Sequence, residues 1–182
     1  MLRAARAAFN RGVVYIYGVD SHSLVDVRST IPCLIAPIDR LDDRRHLPLM
    51  RAIYPDWIED CLAMGGRCYL ATLEGRVIGF AWLTDKALTL DCVGWHEELR
   101  KGTELIHSCG VDPEFRGRRV FPYLLSCIAR ERLDAGANHI WVEVDRKNHP
   151  SRRGIERVGF SLIRAIHWHL VLGTARAAER SP

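Results

Sequence analysis

One stretch of this 182-residue chain gathers groups that can hold an anion. It runs Val111-Asp112-Pro113-Glu114-Phe115-Arg116-Gly117-Arg118-Arg119-Val120 and joins a strand-like apolar run to an amphipathic helix pattern. The first turn of a helix carries backbone N–H groups with no acceptor inside the helix. The helix dipole makes that end partly positive, and three arginines add full charges. A phosphate or diphosphate suits such a loop; a solvated basic helix start is the plain alternative. Other groups are sparser. His167 and His169 share one face of a strand pattern, but no third ligand accompanies them, so no metal is expected. The cysteines, at 33, 61, 68, 92, 109 and 127, include no C-x-x-C pair and sit mostly among apolar neighbours. They read as reduced, buried small hydrophobes.

The elements that must position the loop follow from pattern. With 48% hydrophobic and 26% charged residues, a chain of this length buries one domain's core, which excludes wholesale disorder and coiled coil. No apolar run reaches the ~20 residues of a membrane span. A formal net charge of +4 does not demand a nucleic-acid partner. Residues 13–17 and 24–27 are apolar runs about a polar stretch, which predicts an N-terminal hairpin. A strand is expected at 33–37, then two short helices between 44 and 64, interrupted by Pro48 and Pro55. Residues 67–73 and 77–83 predict a hairpin turning at Glu74-Gly75. Residues 88–93 read as further strand, 95–101 as polar connection and 105–111 as the strand feeding the loop. Apolar residues at 120, 121, 124, 125, 128 and 133 predict a helix with one buried face, capped by Gly136. A strand at 140–144, a short helix at 150–158 and a last strand at 161–172 follow, and the tail at 173–182 is expected to fray. This order makes a mixed sheet with helices on its faces.

Several of these stretches together resemble the GNAT superfamily of acyl-CoA-dependent N-acyltransferases, over roughly residues 33–170. The carriers are Val111-x-Pro113-x-Phe115-Arg116-Gly117-Arg118 with Leu124-Leu125 after it, and Asn148-His149-Pro150-Ser151 followed by Val158-Gly159-Phe160. Glu74-Gly75 ahead of Val77-Ile78-Gly79 is a third. The resemblance implies an α/β fold: a mixed, mostly antiparallel central sheet, a splay between its fourth and fifth strands, and helices on both faces. The chain then divides into an extension at 1–31, an acyltransferase domain at 32–172 and the tail. Acetyl-CoA or another acyl-CoA is the implied co-substrate, without a metal. Cys109, Gly110 and Val111 would end the fourth strand beside the pantetheine arm, with a backbone N–H near Val111 facing the thioester carbonyl. Arg116, Gly117, Arg118, Arg119, Val120 and Phe121 would wrap the diphosphate, and Asn148 and Ser151 would lie beside it.

The sequence departs from the family pattern in two places. Arg119 and Phe121 stand where the family carries small residues, and Pro122 follows, so the helix is expected to start near Pro122. Ile155 stands where many members carry a tyrosine that protonates the leaving thiolate. A thiol with a pKa near 8.5 leaves without much help. The base that deprotonates an acceptor amine has two candidates, Glu104 and His107. Strand alternation puts His107 on the face of Cys109 and Val111, where the family's base tends to lie, and Glu104 on the other. A core-edge histidine is the alternative, and a β-bulge would reverse the parity in favour of Glu104. By the resemblance, Asp56, Glu59 and Asp60 lie where an acceptor pocket is often lined; a solvated helix face is the alternative.

The expectation is therefore a cytoplasmic N-acyltransferase that moves an acetyl or other short acyl group from acyl-CoA to a small-molecule or peptide amine by direct attack. No nucleic-acid or membrane partner is expected, and a homodimer is admitted. Two other classes stay open. One is a non-catalytic CoA-binding module of the same fold, which Ile155 favours. The other is a nucleic-acid or anionic-surface binder using Arg116, Arg118, Arg119, Arg152 and Arg153, with steep salt dependence.

Overall fold

The Glu74-Gly75 hairpin forms as its pattern predicts. Both turn residues adopt positive φ, 50° and 79°, the left-handed pair that matches the twist of two antiparallel strands. The turn joins β3 (Arg67–Leu73) to β4 (Arg76–Thr84). Both belong to an eight-stranded sheet in the computed structural model, which describes residues 9–38, 46–53, 61, 66–90, 94–171 and 174–180. The other strands of that sheet are β1 (Phe9–Val19), β2 (Leu34–Ile38), β7 (Thr103–Val111), β8 (His139–Asp145), β9 (Ser161–Val171) and β10 (Thr174–Arg180). A separate two-stranded ribbon pairs β5 (Ala87–Leu90) with β6 (Trp95–Glu98). The described helices are α1 (Leu47–Ile53), α2 (Val120–Asp134) and α3 (His149–Arg157).

The sheet order is β10-β9-β1-β8-β7-β4-β3-β2, antiparallel at every junction except β7 with β8. Helices α2 and α3 cover one face, where Leu124, Leu125, Ile128 and Ile155 join Tyr69, Ala81, Ile106 and Val142 in one core. On the other face Met50 of α1 packs with Phe80 and Trp82, and Leu88 and Leu90 of the ribbon pack with Ile16, Leu105 and Ile166. The result is the expected mixed, mostly antiparallel sheet with helices on both faces. The connection through α2 makes β7 and β8 parallel, and they pair only from Thr103–His139 to Ile106–Val142. Beyond that they part, while β7 runs on to Val111 and β8 to Asp145. These are the strands expected as fourth and fifth, and their parting is the expected splay.

Three local expectations give way to tertiary packing. Residues 13–17 do not pair with 24–27. They belong to β1, which lies between β8 and β9 near the middle of the sheet. Its alternating residues bury on both faces, Ile16 among the ribbon's residues and Tyr17 and Val19 against the α2 side, which a peripheral hairpin could not provide. Residues 20–33 then cross the α2–α3 face as a strap, with the Val25 N–H donating to the Val158 carbonyl and the Val27 N–H to Ser126 Oγ. The polar connection at 95–101 contains β6, because Trp95 and Leu99 pack on the sheet while Glu97 pairs with Arg164 at 2.9 Å. The tail is not frayed at 174–180, where β10 pairs along β9. Much of the second helix expected between 44 and 64, with Asp56, Glu59 and Asp60, lies outside the described residues.

Candidate functional site

The parting of β7 and β8 opens a cleft of about 880 Å³. Its mouth is the anion loop. Asp112 caps a single 3-10 turn, Pro113–Phe115, by accepting the Glu114 N–H at 3.0 Å. That N–H foremost, and then Arg76, hold the Asp112 carboxyl below its ordinary pKa. Arg76 reaches both Asp112 and Glu114 at 2.7 Å and lies over the Phe115 ring, 5.1 Å from its centre. The chain then passes Gly117 at φ 78° and Arg119 at φ 60°, and α2 begins at Val120 with Pro122 in its first turn. Left-handed backbone costs a non-glycine residue about 1 kcal/mol. Among the described residues, the N–H groups of Gly117, Arg119, Val120 and Phe121 meet no acceptor. Phe121 occupies a position expected to need a small residue. The room comes from α3 instead, where a Cβ on Gly154 would stand 3.0 Å from the Phe121 ring. Asn148 caps α3 by accepting the Ser151 N–H at 3.3 Å, and Arg153 and Arg157 line the cleft one helical turn apart. The Asp112 N–H donates to Ile78 of β4 at 2.9 Å. By strand alternation the preceding N–H, that of Val111, points away from β4 into the opening.

The cleft is also lined by His107, Ser108 and Glu143, with Val14, Ile53 and Leu90. His107 is 7% exposed, and its Nδ1 lies 3.1 Å from Ser108 Oγ. Its Nε2 has no partner among the described residues. Burial lowers its pKa to about 4, so the imidazole is neutral at pH 7 and a weak base. A bulge follows it: between the pairs Trp82–His107 and Phe80–Gly110, β7 uses one residue more than β4, and Ser108 takes φ 47°. The bulge turns Cys109 to the α2 side and Gly110 to the α1 side, where a Cβ would come within 2.6 Å of Phe80 and Ile53. His107 and Cys109 therefore do not share a face, contrary to simple alternation. Because the bulge lies beyond His107, it does not bring Glu104 to the cleft. Glu104 points to α2 and accepts from Arg132 Nε and Nη2 at 2.8 and 2.9 Å. With both carboxylate oxygens engaged there, it is corrected from candidate base to structural anchor. Burial pushes the Cys109 thiol up, which disfavours the thiolate that a nucleophile requires.

Glu143 also lines the cleft, a residue that the sequence pattern did not single out. Ile140, Val142 and Val144 face the α2 core, so Glu143, between them, faces the same side as His107. A carboxylate at the outward position of an apolar strand was the available signal.

The Acetyltransferase (GNAT) family model matches residues 36–160. The chain belongs to the GNAT acetyltransferase family. Solved structures agree on the fold. A putative GNAT acetyltransferase from Novosphingobium aromaticivorans shares 17% identity at TM-score 0.58, over 90% of this chain and 66% of that one. A GCN5-related N-acetyltransferase from Sphaerobacter thermophilus shares 14% at TM-score 0.63, over 96% and 54%. A Bacillus subtilis acetyltransferase in complex with CoA shares 17% at TM-score 0.56, over 71% and 76%. The chain thus spans only about half to two thirds of the length of the first two structures. No curated protein matches by sequence.

In this GNAT chain the catalytic and CoA-binding candidates among the described residues all line the cleft except Glu104 and Arg118. The Arg118 side chain is exposed, and its carbonyl is held by the strap at Ser29 and Thr30. Ile155 lines the cleft and is fully buried, so no hydroxyl stands there. Arg152 is committed elsewhere, donating to Tyr17 Oη at 3.1 Å and lying over the Tyr15 ring. That removes one member of the basic set on which a nucleic-acid reading relied. Among the described residues no three His, Cys, Asp or Glu side chains form a metal-binding group, and no helix is long and apolar enough to cross a membrane.

Proposed function

We propose that this domain transfers an acetyl or other short acyl group from acyl-CoA to the amine of a small molecule or peptide by direct attack. One observation carries the reading: a single cleft joins a cradle of free N–H groups and arginines to a carboxylate and an imidazole across the opened β7–β8 junction. The N–H groups of Gly117, Arg119, Val120 and Phe121, with the Arg116 and Arg119 side chains, receive the diphosphate. The unpaired edges of β7 and β8 receive the amides of the pantetheine arm. The acyl thioester supplies an activated carbonyl and a good leaving group. The Val111 N–H donates to the carbonyl oxygen and more strongly to the negative charge that grows on it. The amine comes from the side of His107 and Glu143. Its nitrogen bonds to the carbonyl carbon, the C–S bond breaks, and the electron pair leaves on sulfur. Glu143 takes the proton from the amine, directly or through water. His107, neutral at pH 7, orients the acceptor by a hydrogen bond rather than taking the proton.

The test works whatever the acceptor is. A ligand that binds only the folded state at a hundredfold excess over Kd stabilises it by about 2.7 kcal/mol. Acetyl-CoA should therefore raise the melting midpoint by roughly 5–10 °C. A short oligonucleotide at ~0.15 M salt should leave it nearly unchanged. Free thiol should then appear with some member of an amine panel. The buried Ile155 favours one second reading, a CoA-binding module without catalysis. Stabilisation by acetyl-CoA with no thiol release from any amine would select it.

A further inference from the structure

The strap crosses the helices immediately behind the anion loop. Three donors converge on one carbonyl oxygen, that of Arg118: the Thr30 N–H at 3.0 Å, Ser29 Oγ at 3.0 Å and Thr30 Oγ1 at 3.1 Å. Ser29 Oγ also accepts the Ile31 N–H at 3.2 Å, which leaves its own proton free for Arg118. The strap is fixed upstream by Val25 on Val158 and Val27 on Ser126, so these donors are held by the elements that flank the cleft. Neither Ser29 nor Thr30 lines the cleft, whereas Gly117, Arg119 and Val120 do.

The peptide between Arg118 and Arg119 is planar and trans, so its C=O and N–H point in opposite directions. Tying the carbonyl to the strap aims the Arg119 N–H away from the strap, where it meets no acceptor among the described residues. The same tie opposes rotation of Arg119 out of its left-handed conformation, φ 60°, which a glycine would hold without help. We propose that Ser29 and Thr30 are positioning residues for the diphosphate of the acyl donor. By gripping the Arg118 carbonyl, they hold the Arg119 N–H in the direction a bound phosphate oxygen needs, which makes an arginine serviceable at a glycine-like loop position. The proposal rests on the acyl-CoA reading and concerns only the donor's phosphate end. It predicts that the strap matters for ligands with a diphosphate and not for the pantetheine arm alone.

The experiment uses the full chain with CoA and pantetheine as probes, in direct and competition calorimetry. The double variant Ser29→Ala/Thr30→Val removes both hydroxyl donors but keeps the Thr30 N–H and the branched shape. CoA should bind about tenfold more weakly, the effect expected if the freed loop keeps the Arg119 N–H in its binding direction only about a tenth of the time. Pantetheine should bind as it does to the unaltered chain, and the melting midpoint should move by no more than about 2 °C, as for other surface substitutions. Ser29→Thr/Thr30→Ser, which retains both hydroxyls, should restore CoA affinity. If the unaltered chain binds no CoA, the acyl-CoA reading falls and this proposal with it. If it binds CoA and the Ala/Val variant binds equally well, the strap proposal is overturned while the acyl-CoA reading stands. A proportionate loss for pantetheine, or a larger fall in the midpoint, would mean general loosening and would also overturn it.

Discussion

Lowering the pH from 7 to 4 should destabilise the domain through His107 in particular. The imidazole is 7% exposed with a pKa of about 4, against about 6.5 in an unfolded chain. Between those two values the unfolded state binds the proton and the folded state does not. Stability therefore rises with pH across that window. The contribution is present in full above about pH 6.5 and is lost as the pH falls to about 4. At 1.36 kcal/mol per pKa unit the ceiling is about 3 kcal/mol, a large share of the ~5–15 kcal/mol that holds an ordinary domain together. His107→Gln removes the titration and keeps a polar group beside Ser108. Urea unfolding of both proteins at pH 7, 6, 5 and 4 isolates the effect, because carboxylates that titrate in both cancel. The variant should lose about 3 kcal/mol less than the unaltered chain over that range. Superimposable pH dependences would refute the reasoning, as would an imidazole seen by NMR to titrate near pH 6.5. Turnover that fell with an apparent pKa near 6.5, and only while His107 was present, would also return the role of proton acceptor to it.

Glu104→Gln leaves the Arg132 guanidinium without its carboxylate at a site where the two side chains are 12% and 20% exposed. It should destabilise by about 2–4 kcal/mol and leave turnover below the melting point unchanged; a hundredfold loss of turnover at full stability would restore Glu104 as the base. Glu143→Gln should lower turnover by roughly 10²-fold or more with CoA affinity and melting midpoint unchanged; near-normal turnover in steady-state assays would leave bulk water as the proton acceptor. Arg119→Glu together with Arg153→Glu should weaken CoA binding in calorimetry by well over tenfold, since two cleft-lining charges are reversed, while Arg118→Glu, outside the cleft, should change it little. Equal losses from the two substitutions would mean that general surface charge, rather than the cleft, attracts the ligand.

Local patterns made much of the fold legible from sequence. Glu74-Gly75, the apolar spacing of α2, its Gly136 cap and the Pro113-x-Phe115-Arg116-Gly117 loop are set by residues within a few positions of one another. Their backbone preferences act before any distant contact forms, and the anion cradle is legible for the same reason. Short-range pattern did not extend to partner choice. The run at 13–17 carries the β signal of an outer hairpin and of a central strand alike; only the apolar surfaces of the ribbon on one face and of α2 on the other decide that β1 goes between β8 and β9. The face that His107 shares with its strand neighbours was undecided for a related reason. A single extra residue at Ser108 reverses alternation, and whether it precedes or follows His107 depends on how β7 registers against β4, a strand more than twenty positions away. Arg132, on a helix that follows the loop, removes Glu104 from the cleft, and the parting of β8 brings Glu143 into it. Sequence by itself determined the Glu74-Gly75 hairpin, α2 and the basic loop ahead of it, because those depend on neighbours along the chain. The tertiary structure decided which carboxylate lines the cleft, because burial, register and ion pairing are properties of residues brought together from far apart.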